Sequence, residues 1–113
     1  MDAEKQKVFQ ARLEEIALRI RDAEFQTSDD RRPIELDQQT VGRLSRMDAL
    51  QVQAMAMETS RRRANELRRI NAALARIDEG EFGYCLECGE EIAERRLELD
   101  PAAPLCITCA SGK

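Results

Sequence analysis

The chain has 113 residues, of which 35% are charged and only 4% are aromatic, and it contains no Trp. This composition excludes a large globular core and favours long, partly exposed helices joined to a small module. The formal net charge is −4, from 18 basic and 22 acidic side chains. A free-standing nucleic-acid-binding protein gains affinity from an excess of Lys and Arg, so this balance favours a protein partner instead.

The first predicted element is an amphipathic helix over residues 3–26, which contain neither Gly nor Pro. Its apolar residues recur at alternating spacings of four and three, as in the seam of a coiled coil. They are Phe9, Leu13, Ile16, Ile20 and Ala23. The next segment, residues 27–33, is rich in Ser and Asp and ends in a proline, so we expect it to be irregular.

A second, longer helix is predicted from about Leu44 to Glu79, with Gly80 as its C-terminal cap. It carries two apolar stripes, which are Met47, Leu50, Ala54 and Met57, followed by Leu67, Ile70, Leu74 and Ile77. The spacing between the two stripes departs from a strict heptad by one residue. This predicts a slip of roughly 100° around the helix.

The two helices can form a hairpin in either of two registers. A turn near Pro33 would place Leu13 opposite Gln51 and leave the second stripe without a partner. A turn near residues 40–42 would place Leu13 opposite Ile70 and Ile20 opposite Ala64, and it would bury nearly every apolar side chain. We therefore prefer the later turn, which predicts an arm on the order of 50 Å long.

Four cysteines lie in two pairs, Cys85-Leu-Glu-Cys88 and Cys106-Ile-Thr-Cys109, separated by seventeen residues. Two such pairs are typical of a tetrahedral zinc site. Because four thiolates close the coordination shell, we expect one structural Zn²⁺ and no enzymatic activity. Two disulfides are an alternative, as is a redox-active dithiol, although no βαβ pattern surrounds either pair.

The predicted fold class is mainly α: an antiparallel helical hairpin, or coiled coil, over residues 1–79 and a four-cysteine zinc-finger module over residues 80–113. A module of this size needs the metal for stability. We expect a minimal core beside it from Ile92, Leu97, Leu99, Leu105 and Ile107. Arg95 and Arg96 either offset the negative charge of the zinc site or form an exposed basic contact surface.

The module carries a longer motif, Phe82-Gly83-Tyr84-Cys85-x-x-Cys88-Gly89-x-x-Ile92, followed by Arg95-Arg96-Leu97, Pro101 and Cys106-x-x-Cys109. This motif resembles the DksA/TraR family of bacterial transcription regulators. The resemblance implies RNA polymerase as the partner, bound through its secondary channel without sequence-specific DNA contacts. The family often acts together with the nucleotide ppGpp, but no residues of this chain can be assigned to a ppGpp site. A zinc-dependent adaptor for another protein is the alternative function.

The resemblance also implies an acidic tip on the hairpin, which reads Asp-x-x-Asp-x-Ala in the family. This chain has Asp37-Gln-Gln-Thr40-Val-Gly42, or a later Ser45-Arg-Met-Asp48-Ala49, and neither keeps the whole pattern. The candidate tip residues are Asp37, Thr40, Arg43, Ser45 and Asp48. Asp37 serves equally well as an N-cap of the second helix.

Two runs of arginine, residues 61–63 and 68–69, lie on the second helix. They either dock on an acidic surface of the polymerase or pair with acidic residues of this chain. The candidate acidic residues are Glu58 and Glu66 on the same helix and Glu14 and Glu15 across the hairpin. We favour the pairing.

No apolar stretch approaches the ~18 residues that a membrane span needs, and no signal peptide is recognisable. We therefore expect a cytoplasmic protein that does not bind a membrane.

Overall fold

The computed structural model describes residues 1–28 and 42–112, with only the backbone described for residues 42–45. The described ranges contain α1 (Ala3–Gln26), α2 (Gly42–Glu79), α3 (Glu94–Leu99) and α4 (Ile107–Ala110). The two long helices match the predicted ones. Within these ranges, no helix is long and apolar enough to cross a membrane.

Both ends of the hairpin base are capped by local hydrogen bonds. At the start of α1, Asp2 Oδ1 accepts a hydrogen bond of 2.8 Å from the Lys5 N–H. At the end of α2, Gly80 has a φ of 76°, and its N–H donates to the Ile77 carbonyl while the Glu81 N–H donates to the Arg76 carbonyl. This pair of bonds is a Schellman motif, so Gly80 is the predicted C-terminal cap.

Polar contacts between the helices fix the register of the hairpin. Ser60 Oγ donates to Glu24 Oε2 at 2.7 Å, and Arg63 Nη1 donates to Glu24 Oε1 at 3.0 Å. Glu24 lies four residues beyond Ile20, and Ser60 lies four residues before Ala64, so this contact continues the alignment that the later turn predicts. The 38 residues of α2 make a helix ~57 Å long, and the molecule is 62 Å in its longest dimension.

The half-buried face of α2 differs from the prediction in the distal half of the helix. The predicted first stripe is exposed at all four of its positions, Met47, Leu50, Ala54 and Met57. Apart from Glu58, the half-buried positions there are Ala49, Gln53, Ala56, Ser60 and Arg63. These continue into Leu67 and Ile70 at unbroken spacings of four and three, so the predicted slip is wrong. Small and polar residues form the distal seam, which hydrophobicity alone does not reveal.

The core is one continuous cluster that runs from the hairpin into the C-terminal segment. Leu13, Ile70, Phe82 and Leu97 are its largest fully buried side chains. The Phe9 ring on α1 lies 5.6 Å from the Phe82 ring, measured between centroids. The hairpin base and the cysteine-bearing segment therefore stabilise each other by sharing buried apolar surface.

The predicted core of the C-terminal module is partly wrong. Ile92 and Leu97 are buried and Leu105 packs against the cluster, but Leu99 and Ile107 are 83% and 63% exposed. Their places in the core are taken by Phe82, Ala102 and Ala103. The helices α1 and α2 cover one side of the module. Contact with the hairpin, and not only proximity to the metal site, therefore decides which residues of the module are buried.

Three polar contacts join the hairpin to α3 and to the residue that follows it. Lys5 pairs with Glu94 at 3.0 Å, Arg12 donates to the Glu98 carbonyl at 2.7 Å, and Arg69 pairs with Asp100 at 2.7 Å. Each contact is worth little alone because the side chains are substantially exposed. Together they define the orientation of α3 against the arm.

The arginine runs are largely paired within the chain, as favoured from the sequence. Arg61 and Arg62 contact Glu58, and Arg69 contacts Glu66. Across the hairpin the acidic partner is Glu24, which contacts Arg63.

Candidate metal centre

The first cysteine pair lies in a tight loop held by backbone hydrogen bonds. The Cys85 N–H donates to the Glu90 carbonyl at 2.8 Å, and the Gly89 N–H donates to the Cys85 carbonyl at 3.0 Å. An antiparallel bridge between Tyr84 and Glu91 closes the loop. Gly89 has a φ of 74°, which L-residues with a Cβ rarely adopt. The loop thereby turns the Cys85 and Cys88 side chains toward one point.

The second pair is placed by the start of α4. Cys106 is the N-cap of this helix, and its Sγ accepts a hydrogen bond of 3.5 Å from the Cys109 N–H. The Leu86 N–H donates to the Pro104 carbonyl at 2.9 Å, which ties the first loop to the segment leading into the second pair. Backbone hydrogen bonds therefore hold the two cysteine pairs close together.

The four sulfur atoms converge as a tetrahedral metal site requires. All of them lie within 4.8 Å of one another, and the Sγ atoms of Cys88 and Cys106 are 3.7 Å apart. A zinc–sulfur bond of ~2.3 Å in a tetrahedron places neighbouring sulfurs ~3.8 Å apart. A disulfide would need ~2.05 Å, and all four cysteines are free. The geometry thus fits a zinc site with four cysteine ligands and does not fit the disulfide alternative.

Local hydrogen bonding prepares Cys85, one member of the first pair, to carry negative charge. The Cys88 N–H lowers the pKa of the Cys85 thiol to about 6, because a donor aimed at the sulfur stabilises the thiolate. The neighbouring Cys106 side chain raises the pKa of Cys109. Clustered thiols resist joint ionisation without a cation between them, and zinc binds thiolates. The donor set is therefore suited to a divalent metal with an affinity for sulfur.

The two arginines beside the site have different surroundings. Arg96 is half-buried, and its Nε donates to the Leu105 carbonyl at 2.9 Å, so it braces the backbone one residue before Cys106. Arg95 is exposed. Exposure makes Arg95 the better candidate for a contact surface, and the offset of the site's negative charge by either arginine stays a prediction.

The candidate tip residues are described only in part. Asp37 and Thr40 lie outside the described residues, and for Arg43 and Ser45 only the helical backbone is described. Asp48 is exposed on the first turns of α2.

Sequence reasoning missed Phe82 as a core residue, although it belongs to the motif beside the first cysteine pair. It is 2% exposed and contacts α1 through Phe9. The signal was present, because a phenylalanine three residues before the first cysteine is a natural candidate for burial beside the metal site.

Comparison with known proteins identifies the C-terminal part of the chain. A family model described as the prokaryotic dksA/traR C4-type zinc finger matches residues 80–113. The RNA polymerase-binding transcription factor DksA of Haemophilus influenzae is 54% identical over 43 residues, which are 38% of this chain and 30% of that protein. The Escherichia coli K12 protein of the same name is 46% identical over 43 residues, which are 28% of its length. The matched segment thus spans less than a third of these relatives.

Solved structures extend the likeness to the hairpin. Transcription factor DksA2 from Pseudomonas aeruginosa matches with a TM-score of 0.77 and 27% identity, over 97% of this chain and 83% of that one. DnaK suppressor protein from Agrobacterium tumefaciens matches with a TM-score of 0.50 and 29% identity, over 100% of this chain and 95% of that one. The zinc-finger match, the convergent cysteines and the likeness of the whole fold lead to one conclusion: residues 80–113 form a C4-type zinc finger of the dksA/traR kind, and the fold of the chain is similar to that of DksA2.

Proposed function

We propose that this protein is a regulator of transcription that binds RNA polymerase and extends its helical hairpin into the secondary channel of the enzyme. The observation that carries the proposal is the combination of a four-cysteine module with an ~57 Å helix anchored on it. The relatives named above as RNA polymerase-binding factors share the module, and DksA2 shares the arrangement of the whole chain.

In this proposal, residues 80–113 form the zinc-finger module, and Cys85, Cys88, Cys106 and Cys109 are the four ligands of one Zn²⁺. The metal would supply a cross-link between the loop after Gly83 and the start of α4. It would have no open coordination position, since four thiolates complete a tetrahedron. The module would act as a base from which residues 1–79 project, and the protein would work by binding and not by catalysing a reaction.

The far end of the arm would act near the catalytic centre of the polymerase. Asp48 is exposed in this part of the chain and is the described residue best placed for that role, alongside the candidates Asp37, Thr40, Arg43 and Ser45. A carboxylate there would interact strongly with the charges of the catalytic centre, because a catalytic metal ion is often the largest local charge in such a centre.

The charge of the chain supports a protein partner in place of DNA. With a net charge of −4, and with its arginine runs largely paired to acidic residues of the same helices, the molecule offers no continuous basic surface to phosphates among its described residues. Action on RNA polymerase would place the protein in the bacterial cytoplasm.

Binding of the purified protein to purified bacterial RNA polymerase tests the proposal. The control is a shortened arm in which residues 25–59 are removed and Glu24 is joined to Ser60 through a short glycine turn. Since Glu24 and Ser60 are in contact, the shortened hairpin should still close and should keep its zinc. We expect the full-length protein to bind at low salt and the shortened one to bind more weakly. Absence of binding by the full-length protein at low salt would reject RNA polymerase as the partner and favour the adaptor function.

A further inference from the structure

The distal half of α2 exposes an apolar surface. Residues 49–57 contain no charged side chain, although 35% of the whole chain is charged. Five large apolar side chains in this part of the helix are exposed: Met47, Leu50, Val52, Met55 and Met57. A helix that is apolar on nearly every face is ordinarily covered by a partner. The distal half of the arm is therefore a candidate interaction surface.

One line of side chains along this surface has the spacing of a coiled-coil seam. Its members follow one another at steps of four, three, four and three residues, and all of them are exposed. They are Asp48, Val52, Met55, Thr59 and Arg62. We refer to this line as the outer seam of α2.

A groove on the outer seam has the shape that receives a side chain from a facing helix. It has a volume of about 340 Å³ and is lined by Ala54, Met55, Glu58, Thr59 and Arg62. The last four of these are related as i, i+3, i+4 and i+7. A set of four residues with this spacing is the hole that a knob from another helix fills in a coiled coil. We call these four residues the α2 hole.

The two ends of the outer seam carry opposite charges that the chain itself holds weakly. Asp48 has no ion pair or hydrogen bond among the described residues. Arg62 is 78% exposed, and its contact of 3.3 Å with Glu58 is shared, because Arg61 donates two hydrogen bonds to the same carboxylate. Both charges are thus available to a partner.

Met55 lies midway between these two charges, so the outer seam is complementary to itself. Asp48 and Arg62 are each seven residues from Met55, or ~10.5 Å along the helix axis. An antiparallel second copy, related by a two-fold axis at Met55, would place Asp48 of each copy against Arg62 of the other. The same axis would bring Val52 of each copy to the α2 hole of the other. Such a surface fits a second copy of this chain.

We infer that two copies of the protein pair antiparallel through the outer seam of α2. Val52 of each copy is the knob in the α2 hole of the other, and the Asp48–Arg62 ion pairs close both ends. The contact spans about four helical turns, which predicts a weak, concentration-dependent dimer. Pairing covers the distal arm and so prevents its entry into a channel. That consequence rests on the proposed function, whereas the pairing itself does not.

Sedimentation equilibrium of the zinc-loaded full chain tests the pairing without any polymerase. The average mass should rise from 12.9 kDa toward twice that value as the concentration increases from about 1 to about 200 μM. A mass of 12.9 kDa at every concentration would overturn the inference. Because RNA polymerase is absent, this result is independent of whether the proposed function holds.

A pair of matched methionine variants shows whether the outer seam is the surface that pairs. Met55→Asp places two carboxylates together at the two-fold axis and should weaken dimerisation at least about tenfold. Met57→Asp is the control, because Met57 is exposed at 55% and lies ~200° further around the same helix. It should dimerise like the wild type, and both variants should keep their zinc and helical circular dichroism. Equal effects of the two variants would contradict the assigned surface.

A charge exchange tests the antiparallel arrangement. Asp48→Arg should weaken dimerisation by about tenfold, because it places two arginines together at each end of the seam. Adding Arg62→Asp to the same chain should restore most of the loss. Failure of the double variant to recover would show that these two residues do not meet, and the inferred register would be wrong.

A photocrosslinker identifies what occupies the α2 hole. In a mixture of isotopically light and heavy copies, benzoylphenylalanine at position 52 should form light–heavy crosslinks to residues 55–62, as located by mass spectrometry. Crosslinks confined to residues of the same copy, or to another part of the second copy, would contradict the inferred pairing.

Discussion

The four cysteines have unequal environments within the same site. Cys85 is 3% exposed and receives the Cys88 N–H, whereas Cys88 is exposed. Cys85 also belongs to the same buried cluster as Leu13 and Ile70, so the metal site and the hairpin core meet at this residue. Loss of the metal should therefore lower the stability of the hairpin base as well as that of the loops that carry the cysteines.

Zinc content and thermal stability test this coupling. Purified protein should contain about one zinc per chain, and Cys88→Ser should lower that content to near zero. The thermal midpoint should fall by more than ~10 °C, because ligand binding to the folded state contributes several kcal/mol. The circular dichroism of α1 and α2 should largely persist at low temperature. A metal-free protein with an unchanged thermal midpoint would contradict the assignment of the four ligands.

Substitutions at Phe82 and Leu99 distinguish the observed core from the predicted one, because Phe82 is buried and Leu99 is exposed. Phe82→Ala should cost about 3–5 kcal/mol in the free energy of unfolding, because it leaves a cavity against Phe9. Leu99→Ala, at an exposed position, should change that free energy by no more than about 0.5 kcal/mol. Urea denaturation measures both. Equal costs would mean that Leu99 is buried in solution.

At the scale of elements, the helices could be predicted from the sequence more completely than the way they pack. The absence of Gly and Pro, the periodic apolar residues and Gly80 were enough to locate α1 and α2. The distal seam could not be predicted, because Ala56 and Ser60 are half-buried while the larger Met57 is exposed. Packing between two backbones favours small residues there, and apolar periodicity follows the larger side chains. The cluster of four cysteines was predictable, because the spacing within each Cys-x-x-Cys pair brings two thiols together.

The register of the hairpin can be tested by exchanging a charge pair. Glu24 and Arg63 are both about three-quarters buried and 3.0 Å apart. Glu24→Arg should destabilise the protein by about 1 kcal/mol or more by placing two arginines together, and Arg63→Glu in the same chain should restore much of the loss. A double-mutant cycle by urea denaturation measures this coupling. A coupling near zero would contradict the contact and reopen the choice of register.

At the scale of the whole molecule, direct contacts at the base of the hairpin join the arm to the module. The Phe9–Phe82 contact and the pairs formed by Lys5 and Arg69 hold α3 against α1 and α2. A long helix on a fixed base carries its far end to a defined distance from the module. This is the property that a regulator would need if it docks outside an enzyme and acts inside a channel.

The lifetime of complexes between RNA polymerase and a promoter tests this account most directly. The full-length protein should change that lifetime, and the protein lacking residues 25–59 should not, even at concentrations that saturate its binding. Asp48→Asn should bind like the wild type and change the lifetime less, because under the proposed function it would remove a carboxylate near the catalytic centre without altering the base of the hairpin. An unchanged lifetime with saturating full-length protein would contradict the account, as would an equal effect of the shortened protein.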